Sequence, residues 1–120
     1  MAAGQHKPGS RMVLVLTTVA TRAQALKLAR TLLAERRCGC VSILPGVQSL
    51  YRWKGRVETA GELLLLLKTT RQELAGLERR FGELHPYEVP EVLAFDPLRV
   101  SAAYGEWLAG CVGDPPPSSD

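Results

Sequence analysis

The stretch Cys40–Trp53, CVSILPGVQSLYRW, constrains the fold more than any other part of the chain. It reads as β structure, broken or bulged at Pro45-Gly46, and it holds 14 residues, where an ordinary strand has about 5–6. At about 3.3 Å per residue it reaches roughly 45 Å, farther than the body of a domain of this size extends. Lys54-Gly55 reads as a turn, and a second strand follows from Arg56 past Ala60-Gly61 into Glu62–Thr70. Part of this hairpin must therefore project beyond its own domain. Its tip carries Leu50, Tyr51, Trp53 and Val57, all poor residues to leave in water. An exposed apolar ribbon is a template for pairing with another chain. Self-association through Leu50, Tyr51, Trp53 and Val57 is the first expectation; the alternative is a hairpin folded back at Pro45-Gly46.

The remaining elements fall around this hairpin. Arg11–Thr18 is β-rich and reads as a mostly buried first strand. Thr21 and Gln24 form a T-x-x-Q capping box that starts a helix. Ala25, Leu26, Ala29, Leu32 and Leu33 then supply its apolar stripe, and Gly39 beyond a basic last turn is the expected stop. The leucines of GELLLLLKTT are read as a buried strand rather than a helix, given the adjacent glycine. Residues 71–84 return to helical spacing through Leu74, Leu77, Phe81 and Leu84, and His85-Pro86 ends that helix. Val89–Phe95 is the expected last strand, with Pro90 where no ladder donor is needed. Ser101–Val112 reads as a closing helix. The predicted order is βαββαβ plus a terminal helix, an α+β, ferredoxin-like split sandwich with two helices on one face of an antiparallel sheet. The folded domain is expected over residues 11–112, between a disordered lead (1–10) and a disordered tail (113–120) with three prolines.

Composition narrows the function classes. The chain has 120 residues, the size of one domain, and 46% are hydrophobic, enough for a core without disulfides or a structural metal. A net charge of +3 with scattered basic residues shows no basic stripe interleaved with aromatics, so no nucleic-acid partner is expected. The strands MVLVLTT and ELLLLLKTT lack the aromatics an RNA-recognition sheet uses to stack bases. The loop TTVATR lacks the C-x-x-C of a heavy-metal chaperone. It also lacks the glycine-rich cradle of an acylphosphatase-like enzyme, although Arg22 is present. Cys38, Cys40 and Cys111 are odd in number and without framework spacing, which fits a reducing compartment. Lys7 and Arg11 before Met12–Ala20 mimic a signal peptide, but Thr17 and Thr18 interrupt the apolar run, and no run is long enough to span a bilayer. The cytoplasm is expected, with no direct membrane insertion.

Several spaced motifs together resemble the CutA family. RRCGCVSILP at Arg36–Pro45 and GVQSLYRW at Gly46–Trp53 with Lys54-Gly55 are similar to its cysteine-valine strand leading to Y-x-W-x-G. Leu67-Lys68-Thr69 matches the end of its third strand, HPYEVPE at His85–Glu91 resembles its H-P-Y-x-x-P-E motif, and Trp107 matches the tryptophan of its closing helix. The likeness covers about residues 12–110. It implies a ferredoxin-like subunit in a tight homotrimer with β edges joined between neighbours, and a link to divalent-metal tolerance, with copper bound by some members. For animal relatives it implies a role in handling or localising a membrane partner of the acetylcholinesterase type. The ligands it implies in metal-binding relatives are a cysteine near the end of the first strand and a His-His pair before Pro-Tyr. Thr17 stands at the cysteine position and Leu84 at the first histidine, which leaves His85 as the one candidate ligand for copper or another divalent metal. A hydroxyl and one imidazole make a poor site for soft or borderline ions. The alternative for His85 is a ring bonded to a neighbouring carbonyl at the helix end.

Two further groupings have chemical content. On a strand Cys38 and Cys40 would share a face, but two thiols alone are an incomplete metal site, and Cys40 matches the family's strand position, which favours a core role. His85, Tyr87, Glu88 and Glu91 lie within seven residues, with Lys68 expected on the adjacent strand. Lys68, Tyr87, Glu88 and Glu91 are expected to line an intersubunit cleft. They include candidates for a base but no nucleophile constellation, so no enzymatic activity is expected. An intersubunit small-ligand or metal-binding sensor is the second reading.

Overall fold

The computed structural model describes residues 11–115; the expected disordered lead, and residues 116–120 of the expected tail, lie outside them. The elements are β1 (Met12–Val19), α1 (Arg22–Ala34), β2 (Cys40–Trp53), β3 (Arg56–Thr70), α2 (Leu74–Leu84), β4 (Leu93–Phe95) and α3 (Ala102–Cys111). The four strands form one antiparallel sheet in the order β2-β3-β1-β4. This is the split βαββαβ layout with a closing helix. No helix among the described residues is long and apolar enough to cross a membrane.

Alternation along β1 places Val13, Val15, Thr17 and Val19 on one face, opposite Thr69, Leu67, Leu65 and Leu63 of β3. That face meets Ala25, Leu28 and Leu32 of α1 and Leu77 and Phe81 of α2 to form the core. The α1 stripe differs from the expected one. Ala25, Leu28, Ala29 and Leu32 are buried, Leu26 is half-buried and Leu33 is exposed, because the helix turns the face holding residues 25, 28, 29 and 32 toward the sheet. The capping box of Thr21 and Gln24 is present as expected.

The end of α1 also differs from expectation. The helix ends at Ala34, its last turn holds no basic residue, and Arg36 (φ 58°) takes the left-handed position. Its guanidinium holds that conformation by donating to the carbonyls of Gly113 (2.6 Å) and Gly110 (2.7 Å). Gly39 serves close packing instead: a Cβ there would lie 2.7 Å from Leu108 Cδ1 and 3.0 Å from Cys111 Cβ, both on α3. The last strand is shorter than Val89–Phe95. Only Leu93–Phe95 pairs with β1; Pro90 has no N–H to donate to a ladder, and the Tyr87 N–H is taken by His85 Nδ1.

The hairpin projects. Pairing of β2 with β3 shifts register between Leu44 and Val47, where Gly46 adopts φ 76°. Beyond this bulge only two strands continue. They close on Lys54 (φ 49°) and Gly55 (φ 79°), both with positive φ, as a type I′ hairpin turn requires. The molecule extends 55 Å along its longest axis with a radius of gyration of 16.0 Å, against about 13 Å for a compact domain of this size. Leu50 (66% exposed), Val57 (64%), Tyr51 and Trp53 all remain exposed.

The second face of the sheet is apolar too. Register aligns Leu44, Leu64 and Thr18 in one row, Ser42, Leu66, Leu16 and Leu93 in the next, and Cys40, Lys68, Leu14 and Phe95 in a third. α3 lies against the last row, with Tyr104 beside Cys40. Leu93 (47%) and Phe95 (48%) stay open. Leucines at both parities of β3 were the sequence sign of a strand meant to be covered twice.

Candidate functional site

The HPYEVPE segment follows α2 and crosses the end of β1 at the root of the ribbon. His85 is the C-cap of α2, its N–H bonded to the Phe81 carbonyl at 2.9 Å, and ψ of 134° turns the chain out of the helix as the following proline demands. The imidazole enters between α2 and β1. Its Nε2 lies 3.0 Å from both the Thr18 carbonyl and Thr17 Oγ1, and its Nδ1 accepts the Tyr87 N–H at 3.1 Å. A carbonyl only accepts, so Nε2 must carry the proton; an N–H only donates, so Nδ1 must offer its lone pair. The network therefore assigns one form, the neutral Nε2–H tautomer. Burial pushes the His85 pKa below the usual 6.5, against the opposing pull of the Thr18 carbonyl and the Glu62 carboxylate. The ring packs edge-on against Phe81 and Tyr87.

The fixed Tyr87 backbone aims its side chain at the root of the ribbon, where the hydroxyl donates a 2.7 Å hydrogen bond to Glu62 Oε2. Burial, and then this bond, drive the Tyr87 pKa far above the ordinary phenol value. Glu62 is only 9% exposed. Burial alone would raise its pKa, but the polar side chains around it, Ser49, Tyr87 and Thr18, more than offset it, so the carboxyl stays below its usual range. It is an ionised group held by neutral donors. The result is a clasp that ties β1, the α2–β4 loop and β3 together.

The expected polar cluster is thus divided. His85 and Tyr87 meet, but their acidic partner is Glu62, which sequence reasoning did not single out. The available signal was a lone carboxylate at the start of a leucine run. Lys68 lies away from them on the second sheet face, donating to Ser42 Oγ at 2.6 Å and approaching Cys40 Sγ at 3.7 Å. Glu88 and Glu91 are exposed and form no salt bridge among the described residues. Leu50, Tyr51, Trp53 and Val57 sit on the ribbon, split by pairing between its two faces: Leu50 and Val57 on one, Tyr51 and Trp53 on the other.

A divalent cation does not fit the residues at His85. Both ring nitrogens are already engaged, the nearest β1 donors are a hydroxyl and a carbonyl, and the preceding position is Leu84. Among the described residues no three or more His, Cys, Asp or Glu side chains gather as a metal site. Two hard oxygens and a protonated nitrogen give copper or zinc nothing to bind well.

Comparison with known proteins places this arrangement. A family model described as CutA1 divalent ion tolerance protein matches residues 13–111. The divalent-cation tolerance protein CutA of Thermus thermophilus is 44% identical over 94 residues, spanning 78% of this chain and 91% of that protein. The chloroplastic protein CutA of Arabidopsis thaliana is 38% identical over 96 residues, 80% of this chain, which spans about half (53%) of that longer protein. The crystal structure of CutA1 from Oryza sativa superposes with a TM-score of 0.85 at 32% identity, covering 90% of this chain and 99% of that one. With the family model spanning nearly the whole described region and a relative 44% identical over most of its own length, the chain belongs to the CutA1 divalent ion tolerance family.

Proposed function

We propose that this protein is a non-enzymatic homotrimer that takes part in the cellular response to divalent cations. The observation that carries the assembly is the apolar second sheet face, of which α3 covers one end only, continuous with a projecting ribbon that no helix covers. Leaving such area in water is unfavourable by about 25 cal/mol per Å² of apolar surface. The occupant that suits it is a second copy. The free edges of the sheet are β2 and β4, which differ, so pairing one with the other is heterologous and closes only as a ring; a ring of three is the reading the family resemblance supports. Leu50, Tyr51, Trp53 and Val57 then form ribbon contacts, while Lys68, Tyr87, Glu88 and Glu91 face the clefts between subunits.

The cation link follows from the kinship with proteins named for divalent-cation tolerance. The non-enzymatic reading rests on chemistry: the clasp holds an ionised Glu62, a neutral His85 and a protonated Tyr87, with no nucleophile beside a free base. Free thiols at Cys38, Cys40 and Cys111 suit the reducing cytoplasm.

Light scattering coupled to size exclusion tests the assembly. The wild type is expected at three times the chain mass of 13.1 kDa. Phe95→Asp alters a side chain half exposed in the lone subunit, so it should leave the circular dichroism spectrum intact and yield monomers. A monomeric wild type at micromolar concentration would reject the reading.

A further inference from the structure

We propose that His85 is a neutral pin for the segment Pro86–Val92, and that this pin has taken the place of the direct cation site the family kinship implies. Three observations converge on it. The two nitrogens are saturated from opposite sides, Nε2 by β1 and Nδ1 by the Tyr87 N–H. Thr17, whose hydroxyl meets Nε2 at 3.0 Å, is fully buried and opens no path for an ion. Among the described residues the carboxylate that bears on the ring is Glu62, and it already accepts the Tyr87 hydroxyl at 2.7 Å.

A cation arriving at Nδ1 would displace the Tyr87 N–H and strand a donor. One arriving at Nε2 would have to remove the proton and leave the Thr18 carbonyl without its partner. Either route breaks the clasp and offers at most one imidazole and hard oxygens in return. The same saturation explains what the residue does. Its two nitrogens fix the relative position of β1 and Tyr87, so the Tyr87 hydroxyl arrives within hydrogen-bond reach of Glu62. His85 is a positioning residue. Any cation response of this protein therefore runs through groups other than this imidazole.

The test uses the full-length protein and zinc(II) alone as probe. In a long-range proton–nitrogen spectrum of the uniformly ¹⁵N-labelled wild type, His85 should show the Nε2–H tautomer and keep it, unshifted, at tenfold excess zinc. His85→Ala should leave the calorimetric zinc isotherm within twofold of wild type while the Tyr87 amide exchanges at least tenfold faster. Zinc-dependent movement of the His85 ring signals in the wild type would overturn the proposal, and that measurement needs no variant to fold. A tenfold loss of zinc affinity in His85→Ala, or an unchanged Tyr87 exchange rate, would overturn it as well. Failure here leaves the trimer intact, and failure of the trimer leaves these signals readable in the monomer.

Discussion

The Tyr87 hydroxyl donates a 2.7 Å hydrogen bond to Glu62 Oε2, joining the α2–β4 loop to the root of a ribbon 25 residues earlier in the chain. The acceptor is ionised and almost fully buried. A bond of that type contributes about 1.5–3 kcal/mol, and losing the donor leaves the carboxylate short of a partner. Tyr87→Phe is expected to lower the unfolding free energy by about that amount. In a double-mutant cycle with Glu62→Gln the two losses should fail to add, with a coupling of roughly 1 kcal/mol or more. Additive losses in urea titrations would show that the two side chains do not act together.

The same clasp makes stability depend on pH. The folded His85 pKa lies below its ordinary 6.5 because burial disfavours the cation. As pH falls, the unfolded chain binds that proton first, so stability that is complete above about 6.5 declines below it until the folded value is passed. Glu62 acts in the same direction further down: its folded pKa lies below 4.5, so its contribution is lost as pH falls under that value. The urea midpoint of the wild type should drop between pH 7.5 and pH 5.5, and His85→Gln should remove most of that drop. Parallel slopes in the two proteins would assign the dependence to other groups.

Gly39 tests the seating of α3. A methyl group there would meet Leu108 Cδ1 at 2.7 Å and Cys111 Cβ at 3.0 Å, and overpacking of this kind costs about 1–3 kcal/mol. Gly61 supplies the control, because an added Cβ there has nothing within 4 Å. Thermal melts should place Gly39→Ala well below wild type and Gly61→Ala close to it, within about 0.5 kcal/mol. Equal melting of both variants would mean that α3 does not press on Gly39.

The three thiols should separate by reactivity. Burial, followed by the neighbouring Cys40, pushes the Cys38 thiol up to about 12, and only 1% of the residue is exposed. The thiolate is the nucleophile, so a thiol held in this state is inert. Under native conditions iodoacetamide is expected to modify half-buried Cys40 and Cys111 while sparing Cys38, and all three should react in guanidinium. Mass spectrometry of tryptic peptides reads the pattern; early labelling of Cys38 would contradict its burial.

Much of the fold was legible because its signals are local. The Thr21–Gln24 capping box and the positive-φ turn at Lys54-Gly55 use partners within a few residues. The over-length of Cys40–Trp53 likewise needs only counting, and the ribbon projects as that length requires. Where local signals compete, distant partners decide. Gly39 looked like the helix stop, yet Arg36 takes the left-handed turn because Gly110 and Gly113, more than 70 residues onward, supply the carbonyls that hold its guanidinium.

The clasp was the least legible part. Periodicity and turn chemistry by themselves determined the order of strands and helices and the reach of the hairpin, since each depends on forces between near neighbours along the chain. Tertiary structure alone decided that His85 meets Thr17 across 68 residues, that Glu62 rather than Glu88 or Glu91 receives Tyr87, and that Lys68 belongs to another face. Those pairings depend on which layer stacks on which and at what register. A hydrogen bond forms only within about 3 Å, a distance that layer packing and register set rather than sequence spacing.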